Sequence, residues 1–386
     1  MDFHFDQVID RRKYESIKWM VGENELPMWV ADMDFEAAPC IRKTLKERVE
    51  HGIFGYTAVP DAWYEAYCRW WSNRHGLAME KDWLMFVTGV VPAISSIVRK
   101  LTTPDEKVIV QTPVYNIFFN SILNNGCRIL DNPLLYENGE YRMDFDDLEA
   151  KMSDPQATLM ILCNPQNPAG KIWDRQTLAR IGELADRHHV KVISDEIHCD
   201  ITQPGTEYVP FAGASELCRK ISITCIAPTK AFNLAGLQSA AIAVPDPFLR
   251  HKVMRAINTD EVAEPNAFAC EAAVSAFTEG GPWLDAMREY VWENRRTAEE
   301  MIGKELPDCR PVKADATYLM WLDISAVGDS DKVAAFLREK TGLFVTAGIS
   351  YGEAGRGFLR INLACPRSVM QDGITRLIRG IKEYNG

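Results

Sequence analysis

Six short apolar runs set the frame of this chain. They lie at residues 83–87, 107–111, 157–163, 190–194, 221–226 and 239–244, and each is rich in apolar residues and reads as a continuous run rather than a regular apolar–polar alternation over its length. A run without a polar face must be buried on both sides, as in a parallel sheet covered by helices. Stretches of helical period lie between the runs. In 174–189, Leu178, Ile181, Leu184 and Ala185 share one face, and Asp174 stands where an N-cap belongs. Alternation of strand and helix from residue 83 to 244 predicts an open α/β sheet. The C-terminal third reads differently, with strands at 317–323 and 358–363 and helices at 331–340 and 368–384. That pattern predicts a smaller α+β domain, joined to the first by a long helix over 283–304. The expected division is a large α/β domain over 46–280, a small domain over 281–386, and an N-terminal segment, 1–45, lying across the small domain and a cleft.

Composition removes several classes of function. With 47% hydrophobic and 25% charged residues in 386, the chain is neither disordered nor fibrous. Lys plus Arg is 43 and Asp plus Glu is 54, a net charge of -11, so no broad nucleic-acid-binding surface is expected. One basic pocket for a small anion is still allowed. The uncharged stretch 84–98 is too short for a membrane span and is broken by Gly89 and Pro92, so strand and helix explain it better. Residues 1–6 carry acids and no basic-then-apolar signal pattern. Ten scattered cysteines with no C-x-x-C pair point to a reducing, cytoplasmic compartment.

In open α/β sheets ligands bind at the carboxyl ends of strands, so the turns that follow the runs carry the functional argument. After 83–87 comes Thr88-Gly89-Val90-Val91-Pro92. The free N–H groups of Gly89, Val90 and Val91 at a helix start would form an anion site; an ordinary strand–helix turn is the bland alternative. After 157–163 comes Asn164-Pro165-Gln166-Asn167-Pro168-Ala169-Gly170. Two Asn-Pro steps predict a rigid extended turn able to aim Asn167. After 190–194 comes Asp195-Glu196-Ile197-His198-Cys199-Asp200. A carboxylate there can hold a cationic ring nitrogen, or serve only as a cap. A metal set of Asp195, His198 and Asp200 would need a second cluster, and the seven His show no H-x-x-x-H or H-E-x-x-H. After 221–226 comes Ala227-Pro228-Thr229-Lys230-Ala231-Phe232-Asn233. Apolar surroundings would lower the Lys230 pKa and make its amine nucleophilic, whereas a surface lysine would merely snorkel.

An anion cradle, an aimed Asn, an Asp for a pyridinium nitrogen and an imine-forming Lys together form the parts list for pyridoxal phosphate. Their order and spacing resemble the fold-type-I pyridoxal-phosphate enzymes of the class I/II aminotransferase superfamily, from Met28 to Arg367. Met28-Trp29-Val30-Ala31-Asp32-Met33-Asp34-Phe35, Ile53-Phe54-Gly55-Tyr56-Thr57, Gly89-Val90-Val91-Pro92 and Arg360-Ile361-Asn362-Leu363-Ala364-Cys365-Pro366-Arg367 resemble the cystathionine β-lyase, or cysteine C–S lyase, branch. The late loop Thr346-Ala347-Gly348-Ile349-Ser350-Tyr351-Gly352 lacks the Pro-Gly step usual in aminotransferases.

The resemblance implies that Lys230 forms the imine and shuttles protons, and that Asp195 keeps the ring nitrogen protonated. It places Asn167 and His198 at the phenolic oxygen, Tyr115 over the ring, and Gly89, Val90 and Val91 at the phosphate. Arg360 would grip the substrate α-carboxylate. Tyr56 would enter from a second copy in a homodimer with shared sites. Two positions depart from the pattern. Ala227 stands where many relatives have a hydroxyl, and Gln238 where many have an arginine, so phosphate neutralisation must differ and Thr229 could supply a hydroxyl. The expected activity is β-elimination on cystathionine or related S-substituted cysteines, with no membrane or nucleic-acid partner. An aminotransferase on the same scaffold and a non-enzymatic regulatory binding protein are the alternatives.

Overall fold

The computed structural model describes residues 3–386 of the chain. Its main sheet has seven strands: β1 Leu84–Val87, β2 Lys107–Val110, β3 Arg128–Asp131, β4 Ala157–Cys163, β5 Lys191–Asp195, β6 Ser222–Ile226 and β7 Ala240–Ala243. The spatial order is β1-β7-β6-β5-β4-β2-β3. The β3-β2-β4-β5-β6 ladder is parallel, and β7 alone is reversed, pairing antiparallel with β1 and β6. All six apolar runs became strands of this sheet. The seventh, β3, escaped sequence reading because it is the edge strand, with two apolar residues between Arg128 and Asp131 and incomplete burial.

Helices cover both faces, and their ends follow local chemistry. Helix α1, Val90–Leu101, buries Ala93, Ile94, Ile97 and Val98 against the sheet. Helix α2, Arg175–Arg187, starts where Asp174 accepts a hydrogen bond from the Thr177 N–H at 2.7 Å. Long helix α3, Gly281–Glu305, joins two cores: Trp283, Leu284, Met287 and Val291 pack with the main sheet's helices, and Ala298 and Ile302 with the second core. That core lies on an antiparallel sheet of β8 Arg310–Pro311, β9 Leu319–Asp323, β10 Thr346–Ala347 and β11 Phe358–Asn362, ordered β8-β9-β11-β10. Helices α4, Ser330–Thr341, and α5, Arg367–Asn385, complete it.

The N-terminal part starts on the smaller unit, where Leu26–Pro27 pairs in parallel with Leu343–Phe344. It then crosses toward the main sheet. Helix Pro39–His51 runs through the expected boundary at 45/46. An ion-pair cluster anchors the crossing: Lys18, 1% exposed, meets Asp34 at 2.6 Å, and Arg11 meets both Asp32 and Asp34 at 2.7 Å. Among the described residues no helix is long and apolar enough to cross a membrane.

Candidate active site

Register brings the chemistry-bearing turns together. Cys163 on β4 pairs with Asp195 on β5, and Asp195 pairs with Cys225 on β6, so three parallel strands end side by side. The turns after them, with the turn between β1 and α1, surround a cavity of about 550 Å³. Gly89, Val90, Val91, Tyr115, Asn167, Asp195, His198, Thr229, Lys230 and Arg360 all line it. Of the residues expected to serve catalysis or bind cofactor or substrate, Tyr56 is the one outside. It is fully exposed beside exposed Ile53 and Phe54.

Lys230 follows β6, and its amine donates to the Ala31 carbonyl at 2.6 Å. Burial pulls the amine down to about 8; the Arg360 charge acts in the same direction, while Asp32 and Asp195 pull upward. Asp195, at the end of β5, is pushed up to about 6 by burial, against the Ile197 N–H at 3.1 Å and the charge of Lys230. Its neighbour Glu196 is structural: it accepts from the Ser194 hydroxyl and the Phe211 N–H, both at 2.9 Å. His198 is held well below the usual imidazole range, first by burial and then by Lys230 and Arg360, so it stays neutral. Its Nδ1 is buried without a partner among the described residues.

Arg360 stands on β11 and is 5% exposed. It donates to the Trp29 carbonyl at 2.8 Å and to Asn167 Oδ1 at 3.2 Å, its guanidinium carbon sits 5.0 Å from the centre of the Tyr351 ring, and its buried Nε has no partner among the described residues. Asn167 is thus aimed at the cavity. Asn164 is not: its side chain donates to the Val209 carbonyl at 3.0 Å, away from the cavity. Both Asn-Pro bonds are cis, as is Thr112-Pro113 before Tyr115, where an extended turn was expected. The metal set weighed from the sequence does not assemble. Asp195 and His198 line the cavity, but Asp200 accepts from Trp70 Nε1 at 2.8 Å and pairs with His75 at 2.9 Å.

Sequence reasoning missed the partners of the two cations. Backbone carbonyls of 29–33 take side chains from across the cleft. Ala31 also accepts from the Tyr318 hydroxyl at 3.0 Å, and the Asn362 amide donates to Val30 at 2.6 Å and Asp32 at 2.5 Å. Carbonyls carry no residue signature, so the 28–35 motif showed a resemblance without showing this task.

The residues present fit pyridoxal phosphate. The cavity offers one depressed amine, one buried carboxylate with a single backbone donor, an aromatic face at Tyr115, and the start of α1 with N–H groups lacking intrahelical acceptors. Its anion end is neutral: Thr229 and Gln238 line the cavity, and Ala227 is buried without a hydroxyl.

Residues 24–377 match the family described as Aminotransferase class I and II. The chain is 44% identical to the cystathionine β-lyase PatB of Bacillus subtilis, covering 97% of this chain and 98% of that protein. It is 31% identical to the protein MalY of Escherichia coli, covering 98% and 99%. The solved structure of cystalysin from Treponema denticola, which contains pyridoxal 5'-phosphate, superposes with a TM-score of 0.96 at 31% identity over 99% of this chain and 100% of that one.

Proposed function

The chain belongs to the class I and II aminotransferase family, and on that premise we propose that it is a pyridoxal-phosphate-dependent carbon–sulfur β-lyase. It cleaves cystathionine or other S-substituted cysteines. The Cβ–S bond breaks, sulfur leaves with the electron pair and takes a proton as a thiol, and water completes the release of pyruvate and ammonia. The observation that carries this reading is the meeting of Lys230, Asp195 and Arg360 around one cavity, in a chain 44% identical over 97% of its length to a cystathionine β-lyase.

When bound, pyridoxal phosphate supplies an electron sink that makes the substrate's α-C–H acidic. The chain's residues do the rest. The Lys230 amine, neutral above about pH 8 in the free protein, moves the proton at the α-carbon. The Asp195 carboxylate holds a proton on the ring nitrogen. The Arg360 guanidinium, whose Nη1 is held by Asn167 at 3.2 Å, would grip the α-carboxylate. Neutral His198 and Asn167 add hydrogen-bonding capacity without added charge. Purified protein with L-cystathionine and no added keto acid should release pyruvate in proportion to thiol. An aminotransferase would need a keto acid, and the absence of pyruvate from every S-substituted cysteine would reject the lyase.

Arg360→Lys should raise KM roughly 10- to 100-fold with a smaller change in kcat, because an ammonium cannot make the paired contacts of a guanidinium. Steady-state kinetics check this, and unchanged KM would place the carboxylate anchor elsewhere.

A homodimer with shared sites and a cytoplasmic location belong to the same reading. Exposed Ile53, Phe54 and Tyr56 form an apolar surface on the loop before helix Asp61–His75, and all ten cysteines are free thiols. If Tyr56 serves a second copy's site, Tyr56→Phe chains that are impaired alone should regain activity when exchanged with Lys230→Ala chains. One site of each mixed dimer would then be intact, and no recovery despite subunit exchange would reject sharing.

A further inference from the structure

The cavity has one place for a carboxylate and no second one. Among the described residues that line it, the charged side chains are Asp195, Lys230 and Arg360. In the proposed function all three are occupied, by the ring nitrogen, by the α-carbon proton and by the α-carboxylate. His198 is neutral. The rest of the substrate side is built from Trp29, Val30, Ile117 and Tyr351, with the neutral amide and hydroxyls of Asn116, Thr346 and exposed Ser350 also lining the cavity. Residues 52–59, the loop proposed to reach a second copy's site, include no Lys or Arg.

From this we infer the substrate class: the enzyme prefers cysteines whose S-substituent is uncharged and apolar over those carrying a second carboxylate, cystathionine included. The inference rests on the lyase reading and sharpens it. A distal carboxylate in this cavity would lose water without gaining a cation, which is costly for any ion. An alkyl group loses nothing polar and gains apolar surface on Ile117 and Tyr351. A charged substituent could instead project past Ser350, which is exposed, and stay hydrated. It would then forgo the apolar contact, so the order of preference is the same.

The test is a panel of wild-type holoenzyme kinetics following pyruvate. S-methyl-, S-ethyl-, S-propyl- and S-butyl-L-cysteine should rise in kcat/KM by roughly threefold per methylene, near the value of burying one. S-carbamoylmethyl-L-cysteine should exceed its near-isostere S-carboxymethyl-L-cysteine by about tenfold or more, the penalty for an unpaired carboxylate. L-Cystathionine should fall below S-butyl-L-cysteine by a similar factor. Ser350→Arg, which sets a cation at the mouth, should narrow the carbamoyl-to-carboxyl ratio at least about fivefold. Cleavage in which cystathionine and S-carboxymethylcysteine match or exceed their neutral counterparts overturns the preference and leaves the lyase reading standing. No pyruvate from any member of the panel overturns the lyase reading and the preference with it.

Discussion

Lys230→Ala should abolish turnover, lowering kcat by roughly 10³-fold or more, while the fold survives. The catalytic loss follows from position. The amine lies in the cavity that Asp195 and Arg360 also line, with its pKa drawn down to about 8, and no other amine lines that cavity among the described residues. The structural cost is small for a physical reason. The side chain faces open cavity, so truncation leaves no closed void in the core. It forgoes one hydrogen bond to Ala31, but Tyr318 still donates to that carbonyl at 3.0 Å. Pyruvate release gives the first readout and the melting temperature the second. A third needs no cofactor. At pH 8 about half of the Lys230 amines are neutral, against under ~1% for an ordinary lysine, so brief labelling of the cofactor-free protein should mark Lys230 ahead of the other lysine side chains. Near wild-type pyruvate release by Lys230→Ala would sink the assignment.

Asp195→Asn should keep the fold and the capacity to take up cofactor, yet slow turnover by roughly 10²- to 10³-fold, the usual loss when one preorganised electrostatic contact is removed. The amide has the shape of the carboxylate and can still accept from the Ile197 N–H, so the end of β5 is preserved. What it lacks is the charge that holds a proton on a ring nitrogen. The cofactor-free protein offers an independent check. Burial places the folded-state pKa of Asp195 at about 6, above an unfolded value of about 3.9. The folded chain therefore binds the proton more tightly, and its stability falls as pH rises from about 4 through 6. Asp195→Asn should lack that part of the loss, seen as a smaller drop in melting temperature over that window. Equal kcat and equal pH dependence would make Asp195 a purely structural residue.

Much of the fold was legible because burial writes itself into local composition. Runs such as 83–87 and 157–163 have almost no polar residue, and a strand covered on both sides is the consistent outcome. Helix starts were legible where a side chain does the capping, as Asp174 does for α2. Strand β3 was not, since an edge needs little apolar length. The strand expected from 317 begins at Leu319, because Thr317 takes a left-handed φ of 67° and the Ala316 backbone bridges to Thr202 across the chain.

The site divides along the same line. Residue types and their place after strands singled out Lys230, Asp195, Asn167 and the start of α1, which line one cavity because strand ends in a parallel sheet converge on one edge whatever the intervening lengths. Tertiary structure alone decided what those groups face. The Ala31 carbonyl that meets Lys230 is 199 residues away, and the Asn167 side chain that meets Arg360 is 193 away. No local pattern records such a pairing, and a backbone carbonyl is the same in every residue. The count of charges in the cavity is likewise a property of the closed shape. The sequence holds 43 Lys and Arg, and only packing shows that two of them line the cavity.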